Sequence, residues 1–275
     1  MPKLADNTTI SRGIISCGMY AFTHRLRCAW RQILGDLHHH LPAPYNQAFD
    51  LRFDDATKIL SDPELFMGQT CGYPYVAKWR RTHDVVCAPE FTIEGCENIK
   101  CSSWFVTRAD SGKVSLDEFS NALAAVNNTD SNSGMNVFRY EISKHANSMP
   151  FFKNVLVSNS HLQSMKWIAQ GAADIAAIDA VSYHFAIAAD LINADDLKII
   201  GQSRHTAGLP FIVHKGLEVD RQLIVNALNA SLEAMSPKNK AFLKLKQFTP
   251  VDEHDYASIK ELETKAQDQG YAILQ

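Results

Sequence analysis

Val126-Asn127-Asn128-Thr129-Asp130-Ser131-Asn132-Ser133-Gly134-Met135-Asn136 lies between an apolar run at 123–126 and a segment with helical spacing. A buried strand that turns directly into a helix is half of an α/β unit, and its turn faces the carboxyl edge of the sheet. The first N–H groups of the helix have no intrahelical acceptor there, and the helix dipole favours an anion. The hydroxyls of Ser131 and Ser133, the amide of Asn132 and the backbone N–H groups up to Gly134 form a candidate cradle for tetrahedral oxygens. Ser, Asn and Asp are equally the commonest helix caps, so a plain cap and an anion site both stand at this point.

Working outward, a second turn of the same kind follows at Ser158-Asn159-Ser160-His161, after a strand at 154–157 and before an amphipathic helix that ends at Gly171. His161 falls in the first turn, where a cation is unfavourable unless an anion lies in front of it; a surface histidine without a role is the alternative. The third piece is Gly171-Ala172-Ala173-Asp174-Ile175-Ala176-Ala177-Ile178-Asp179-Ala180-Val181, with Asp179 at the carboxyl end of a strand at 173–178. Asp179 reads as a ligand group or as a helix cap. Three strand ends thereby aim polar groups toward one crevice, the usual location of a ligand on an open α/β sheet.

The remaining chain has the same alternation. A strand at 13–19 precedes Leu26, Ala29, Trp30, Ile33, Leu34 and Leu37, which recur on one helical face. His38-His39-His40 reads as a solvated loop, 48–53 as a strand, and a short helix follows Asp54-Asp55. A strand ends near Gln69-Thr70 and a helix starts around Cys71-Gly72-Tyr73-Pro74, with Pro74 in the first turn. Val85-Val86-Cys87 is a strand that Pro89 is expected to stop. Another strand covers 102–108, and Ser115-Leu116-Asp117-Glu118 has the form of a capping box. After strands at 197–200 and 209–213, the rest reads as helices at 217–235, 238–246 and 256–269, capped by Gly270. The fold class is α/β, in two similar lobes rather than one barrel.

The 275 residues are 46% apolar, enough for real cores, and 27 Lys+Arg against 30 Asp+Glu leave a formal charge of −3. Neither a duplex nucleic-acid binder nor a protein drawn to membranes by bulk charge is expected from that balance. No run approaches the roughly 18 apolar residues of a membrane span. The opening MPKLADNTTISRGIIS lacks the pattern of an export signal, so the sequence as written reads as cytoplasmic, or as periplasmic if a leader has been removed. The six cysteines read as reduced thiols; Cys96 and Cys101, a C-x4-C, would close a loop if oxidised, and their spacing is not that of a structural zinc site. No metal or other cofactor is expected. The absence of G-x-S-x-G, H-E-x-x-H and a Walker-type loop argues against an enzyme.

Together these residues carry a resemblance. S-N-S-G with its helix, S-H-x-x-S-x-x-x-I-x-x-G-x-A-D-x-A-A-I-D from Ser160 to Asp179, G-Q-S ending at Ser203, and G-L-P at Gly208-Leu209-Pro210 resemble the phosphate, phosphite and phosphonate-binding proteins of ABC transporters, the PhnD-like group. Gln69-Thr70-Cys71-Gly72-Tyr73-Pro74-Tyr75 resembles a branch of that group with a C-G-Y-P segment. The resemblance implies a type II periplasmic-binding-protein fold: two α/β lobes, 1–92 plus 206–275 and 93–205, joined by crossings at 89–91 and 202–208 and closing on a ligand.

It also implies that Ser131, Asn132, Ser133 and His161 hold the anion from the second lobe while Tyr20, Thr70 and Tyr73 serve it from the first. Asn132 stands where the family commonly has Thr, keeping a donor with a different reach. Asp179 fits beside an anion only if the ligand offers a proton or an amine, as a protonated phosphate or phosphite or an aminoalkylphosphonate does. The implied partners are a small anionic ligand and an ABC permease, with the chain working as a monomer; a cytoplasmic sensor or a biosynthetic enzyme on the same fold is the alternative.

Overall fold

A computed structural model of the chain describes residues 13–54, 56–145 and 150–275; the opening residues and the Asp55 part of the Asp54-Asp55 turn lie outside them. The first strands and helices are β1 (Ile14–Ser16), α1 (His24–Asp36), β2 (Asp50–Arg52), α2 (Ala56–Ile59), β3 (Leu65–Gln69), α3 (Gly72–Ala77) and β4 (His83–Phe91). β5 (Cys96–Glu97) and β6 (Lys100–Cys101) form a small hairpin. Then come β7 (Ser103–Arg108), β8 (Leu123–Val126), α4 (Val137–His145), β9 (Asn154–Val157), α5 (His161–Ala169), β10 (Ile175–Asp179), α6 (Ala180–Ala188) and β11 (Leu197–Gln202). The chain closes with β12 (Thr206–Ala207), β13 (Phe211–His214), α7 (Arg221–Ala234), α8 (Pro237–Leu243), β14 (Leu245–Pro250) and α9 (Ala257–Asp268).

Two mixed sheets result, each the centre of one α/β lobe. One has the order β14-β4-β13-β3-β1-β2, the other β11-β7-β10-β8-β9. β1 pairs in parallel with β2 and β3, and β8 with β9 and β10. Parallel neighbours need crossover connections, and helices supply them. Every residue of β10 is buried, as expected of an apolar strand covered on both faces. The third sheet, β12-β6-β5, is made by the connections themselves: the outgoing hairpin β5–β6 pairs with the returning β12. Cys96 and Cys101, cross-strand partners there, form a disulfide with Cα atoms 4.1 Å apart, so the expectation of reduced thiols holds only for Cys17, Cys28, Cys71 and Cys87.

α1 shows how local sequence becomes packing. Thr23 Oγ1 accepts from Leu26 N at 3.1 Å, capping the helix, and Leu26, Ala29, Trp30, Ile33 and Leu34 face inward. Trp30 is fully buried, with its ring centroid 6.3 Å from Phe211 and 6.4 Å from Phe248. The capping box at Ser115 and Glu118 is formed, and Gly270 takes φ +86° after α9, a conformation that suits glycine.

Three further expectations need correction. His38-His39-His40 continues α1 as a tight turn, with His38 Nδ1 2.8 Å from Gly35 O. Pro89 does not stop its strand; β4 runs to Phe91 and pairs Pro89 with Phe248. β13 accompanies β4 only as far as Cys87, so the missing N–H has an unpaired side to occupy. The helix placed at 238–246 ends at Leu243, where Lys244 turns left-handed at φ +52° and β14 begins. That strand is broken by an irregularity between Leu245 and Gln247, which erases the two-residue period that would have revealed it.

α9 joins the two cores. Ile259 packs with Ile14, Tyr75 and Tyr256 beside the first sheet. Leu262, Ala266, Tyr271 and Leu274 pack with Phe105, Phe138 and Phe152 beside the second.

Candidate functional site

The carboxyl ends of β1, β3, β8 and β10, with β12, converge on one narrow cleft. Its walls include Tyr20, Cys71, Ser102, Asn132, Ser133, Asp179 and Thr206, and the space between them is about 20 Å³. That admits roughly one water, so a five-heavy-atom anion enters only when the walls part.

From the first lobe, Tyr20 follows β1 and packs edge-on against Phe91 at 5.6 Å. Its hydroxyl donates to Asp179 Oδ2 at 3.2 Å. Asp179 ends β10 and caps α6, Oδ1 accepting from Ser182 N at 2.7 Å. Burial pushes the Asp179 carboxyl above its usual range, although the Ser182 and Tyr20 hydrogen bonds oppose it. Burial, and then the neighbouring Asp179, push Tyr20 well above the ordinary tyrosine range, so it stays a neutral donor.

From the second lobe, Ser131 caps the turn after β8, its Oγ accepting from Gly134 N at 3.0 Å. Asn132–Asn136 then winds as a π-turn, a wide helical turn common at functional sites, closed by Asn136 N donating to Ser131 O at 3.0 Å. A Cβ on Gly134 would collide with the Asn127 side chain and press on His161, so glycine is required by close approach. Asn132 reaches the opposite wall twice: its backbone N–H donates to Cys71 Sγ at 3.3 Å, and Nδ2 donates to Thr206 Oγ1 at 2.9 Å.

His161, the first residue of α5, stands behind Ser133 with Nε2 2.9 Å from Ser133 Oγ. Burial lowers its pKa to about 4, against a weaker opposing effect of the Ala177 backbone. The imidazole is therefore neutral near pH 7, and the expected conflict between a cation and the helix dipole does not arise.

Of the eight residues singled out in the sequence, Tyr20, Asn132, Ser133 and Asp179 line the cleft. His161 touches it through Ser133, and Ser131 is spent on the cap. Thr70 is buried beside it, donating through Oγ1 to Cys71 O at 3.5 Å and through its backbone N–H to Pro210 O at 3.1 Å. Tyr73 points elsewhere, its hydroxyl donating to Glu263 Oε1 at 2.7 Å. Sequence reasoning missed Cys71, Ser102 and Thr206 as wall residues. Cys71 sits within the C-G-Y-P segment and Thr206 within the expected crossing, but neither has a local pattern announcing that it faces the cleft. No Lys or Arg is among the described residues that line the cleft.

The profile of the family described as "ABC transporter, phosphonate, periplasmic substrate-binding protein" matches residues 24–256. A comparison with curated proteins returns no significant match. Among solved structures, the fold is similar to that of a binding protein component of an ABC phosphonate transporter from Pseudomonas aeruginosa, with TM-score 0.73 and 18% identity over 95% of this chain and 88% of that one. PhnD1 from Prochlorococcus marinus, solved in complex with methylphosphonate, gives TM-score 0.72 and 13% identity over 93% of this chain and 98% of that one. XAC2383 from Xanthomonas citri, solved bound to ATP, gives 0.64 and 16% over 94% and 98%. With the cleft between two α/β lobes and the family match across most of the sequence, the chain belongs to the periplasmic substrate-binding proteins of phosphonate ABC transporters.

Proposed function

We propose that the cleft captures a small phosphorus oxyanion that retains an acidic proton, such as hydrogen phosphate, phosphite or an alkylphosphonate monoanion, and delivers it unchanged to an ABC permease. The observation that carries this reading is the pairing of neutral donors with a buried carboxyl. Asn132, Ser133 and Tyr20 supply N–H and O–H groups, while Asp179 offers an acceptor at the same cleft. A P–OH meets that acceptor, whereas a fully ionised sulfate or sulfonate places oxygen lone pairs against it. An amine on the ligand satisfies Asp179 equally, which keeps 2-aminoethylphosphonate within the class.

We place the lobe boundaries at 1–92 plus 206–256 and at 93–205, with α9 and the residues after it packed across both. Catalysis is not part of the role. Asp179 uses its oxygens on Ser182 and Tyr20, so no Ser–His–Asp series is assembled around the Ser133–His161 pair. An imidazole held near 4 is also a weak base at neutral pH. The Cys96–Cys101 disulfide supports action in an oxidising compartment, in keeping with a periplasmic family.

Isothermal titration with phosphate, phosphite, methylphosphonate and 2-aminoethylphosphonate, against sulfate and methanesulfonate, tests the reading. Binding within the phosphorus set and none in the sulfur set is expected. Ser133→Ala should weaken binding about tenfold, the loss of one charge-assisted hydrogen bond. No heat and no thermal shift with any phosphorus ligand, after removal of bound contaminants, would sink it.

A further inference from the structure

The cleft must hold an anion without a cation in its wall, and a buried chain of side chains behind Asn132 shows how. Asn132, Asn136 and Arg139 are 4%, 0% and 3% exposed. Arg139 Nη2 donates to Asn136 Oδ1 at 2.8 Å, and Arg139 Nη1 donates to Ala272 O at 2.7 Å. Asn136 Nδ2 in turn donates to Asn132 Oδ1 at 3.1 Å and to Ile259 O at 3.0 Å. Asn132 Nδ2 then faces the cleft, donating to Thr206 Oγ1.

The sense of this chain is forced from its inner end. A guanidinium only donates and a backbone carbonyl only accepts. Asn136 must therefore turn its oxygen to Arg139 and its NH2 to Ile259 O, which leaves one N–H for Asn132. Asn132 must answer with its oxygen, so its NH2 is presented to the cleft. A primary amide can otherwise flip by half a turn and offer an acceptor, which would repel an oxyanion. The charge of Arg139, set beside Tyr73 and Glu263, stands behind the same series of donors and polarises it toward the ligand.

We propose that Asn136 and Arg139 are positioning residues that lock the Asn132 amide as a permanent donor toward the cleft and thereby set its preference for oxyanions. The proposal rests on the phosphorus-oxyanion reading for its ligand, but the amide orientation is measurable without one. In the ligand-free protein, side-chain amide NOEs should connect the Asn132 NH2 protons to Thr206 and the Asn136 NH2 protons to Ile259. NOEs showing the Asn132 NH2 turned toward Asn136, away from Thr206, overturn the proposal.

The variant test is Asn136→Asp. A carboxylate keeps a partner for Arg139 but donates nothing to Asn132, so the amide is free to flip. A folded Asn136→Asp protein should bind methylphosphonate at least about tenfold more weakly than wild type, with its Asn132–Thr206 NOEs lost. A folded variant with unchanged affinity and unchanged NOEs overturns the proposal; if the variant does not fold, the wild-type NOEs decide. If wild type binds none of the phosphorus ligands, the functional reading falls, and the NOE pattern still decides the orientation.

Discussion

Asp179 caps α6 and stands in the cleft wall, and a change of one atom separates the cap from the charge. Asparagine caps a helix about as well as aspartate, so Asp179→Asn should keep the bond to Ser182 N. Because burial raises the carboxyl pKa, the ionised form costs stability as pH rises above the ordinary carboxylate range, and the variant removes that cost. The thermal midpoint near neutral pH should be unchanged or higher, while affinity for phosphite or methylphosphonate falls about tenfold or more. Equal affinity would remove Asp179 from ligand selection. His83 gives a second residue-scale prediction. Burial, reinforced by His214 with its ring 4.2 Å away, lowers it to about 4 from 6.5. A histidine with a depressed folded pKa contributes fully above its unfolded value and loses that contribution as pH falls toward the folded one. Urea midpoints should fall from about pH 7 to about pH 5, and His83→Phe should flatten part of that fall, His161 and His184, both also lowered by burial, contributing with the same sign. An identical slope in the variant would count against it. Position in the cleft wall was legible where a residue type and a strand end coincide, as for Asp179 and Ser133. It was not legible for Thr206 and Cys71, which are cleft residues only because another part of the chain arrives opposite them.

Strands and helices were legible where period and punctuation agreed. α1, β3, β8, β10 and α9 all have an unbroken apolar pattern with a cap or turn at an end. β14 escaped because its irregularity breaks the period, and the passage of β4 through Pro89 escaped because the pairing partner lies about 160 residues away, beyond any local window. The β5–β6 hairpin is the connecting element most exposed to chemistry, since its disulfide closes a loop between cysteines five residues apart. Loop entropy alone assigns that crosslink about 2 kcal/mol. Reduction, or the Cys96→Ser and Cys101→Ser pair, should lower stability by about that amount in chemical denaturation. A midpoint insensitive to reductant would show the crosslink to be idle.

For the whole molecule, the two-lobed plan was readable from alternating strands and helices, and the ordered motifs sharpened it to one family. Where the helix at 257–268 docks was not legible, because amphipathic spacing says which face is buried and not against what. Tyr271 and Leu274 are 2% and 9% exposed in the second core. Deleting 270–275 should therefore lower the thermal midpoint markedly, by the loss of two buried side chains worth about 1.5–3 kcal/mol each. Unaltered melting of the truncated chain would show that docking to be superficial. The position of α9 bears on motion as well. Two neighbouring strands bend at small cost, and alone they would let the halves swing freely. A helix with one end seated in each core cannot follow such a swing without withdrawing side chains from one seat or sliding in it. Any parting of the two lobes therefore has to disturb the packing of α9, an element that does not itself line the cleft.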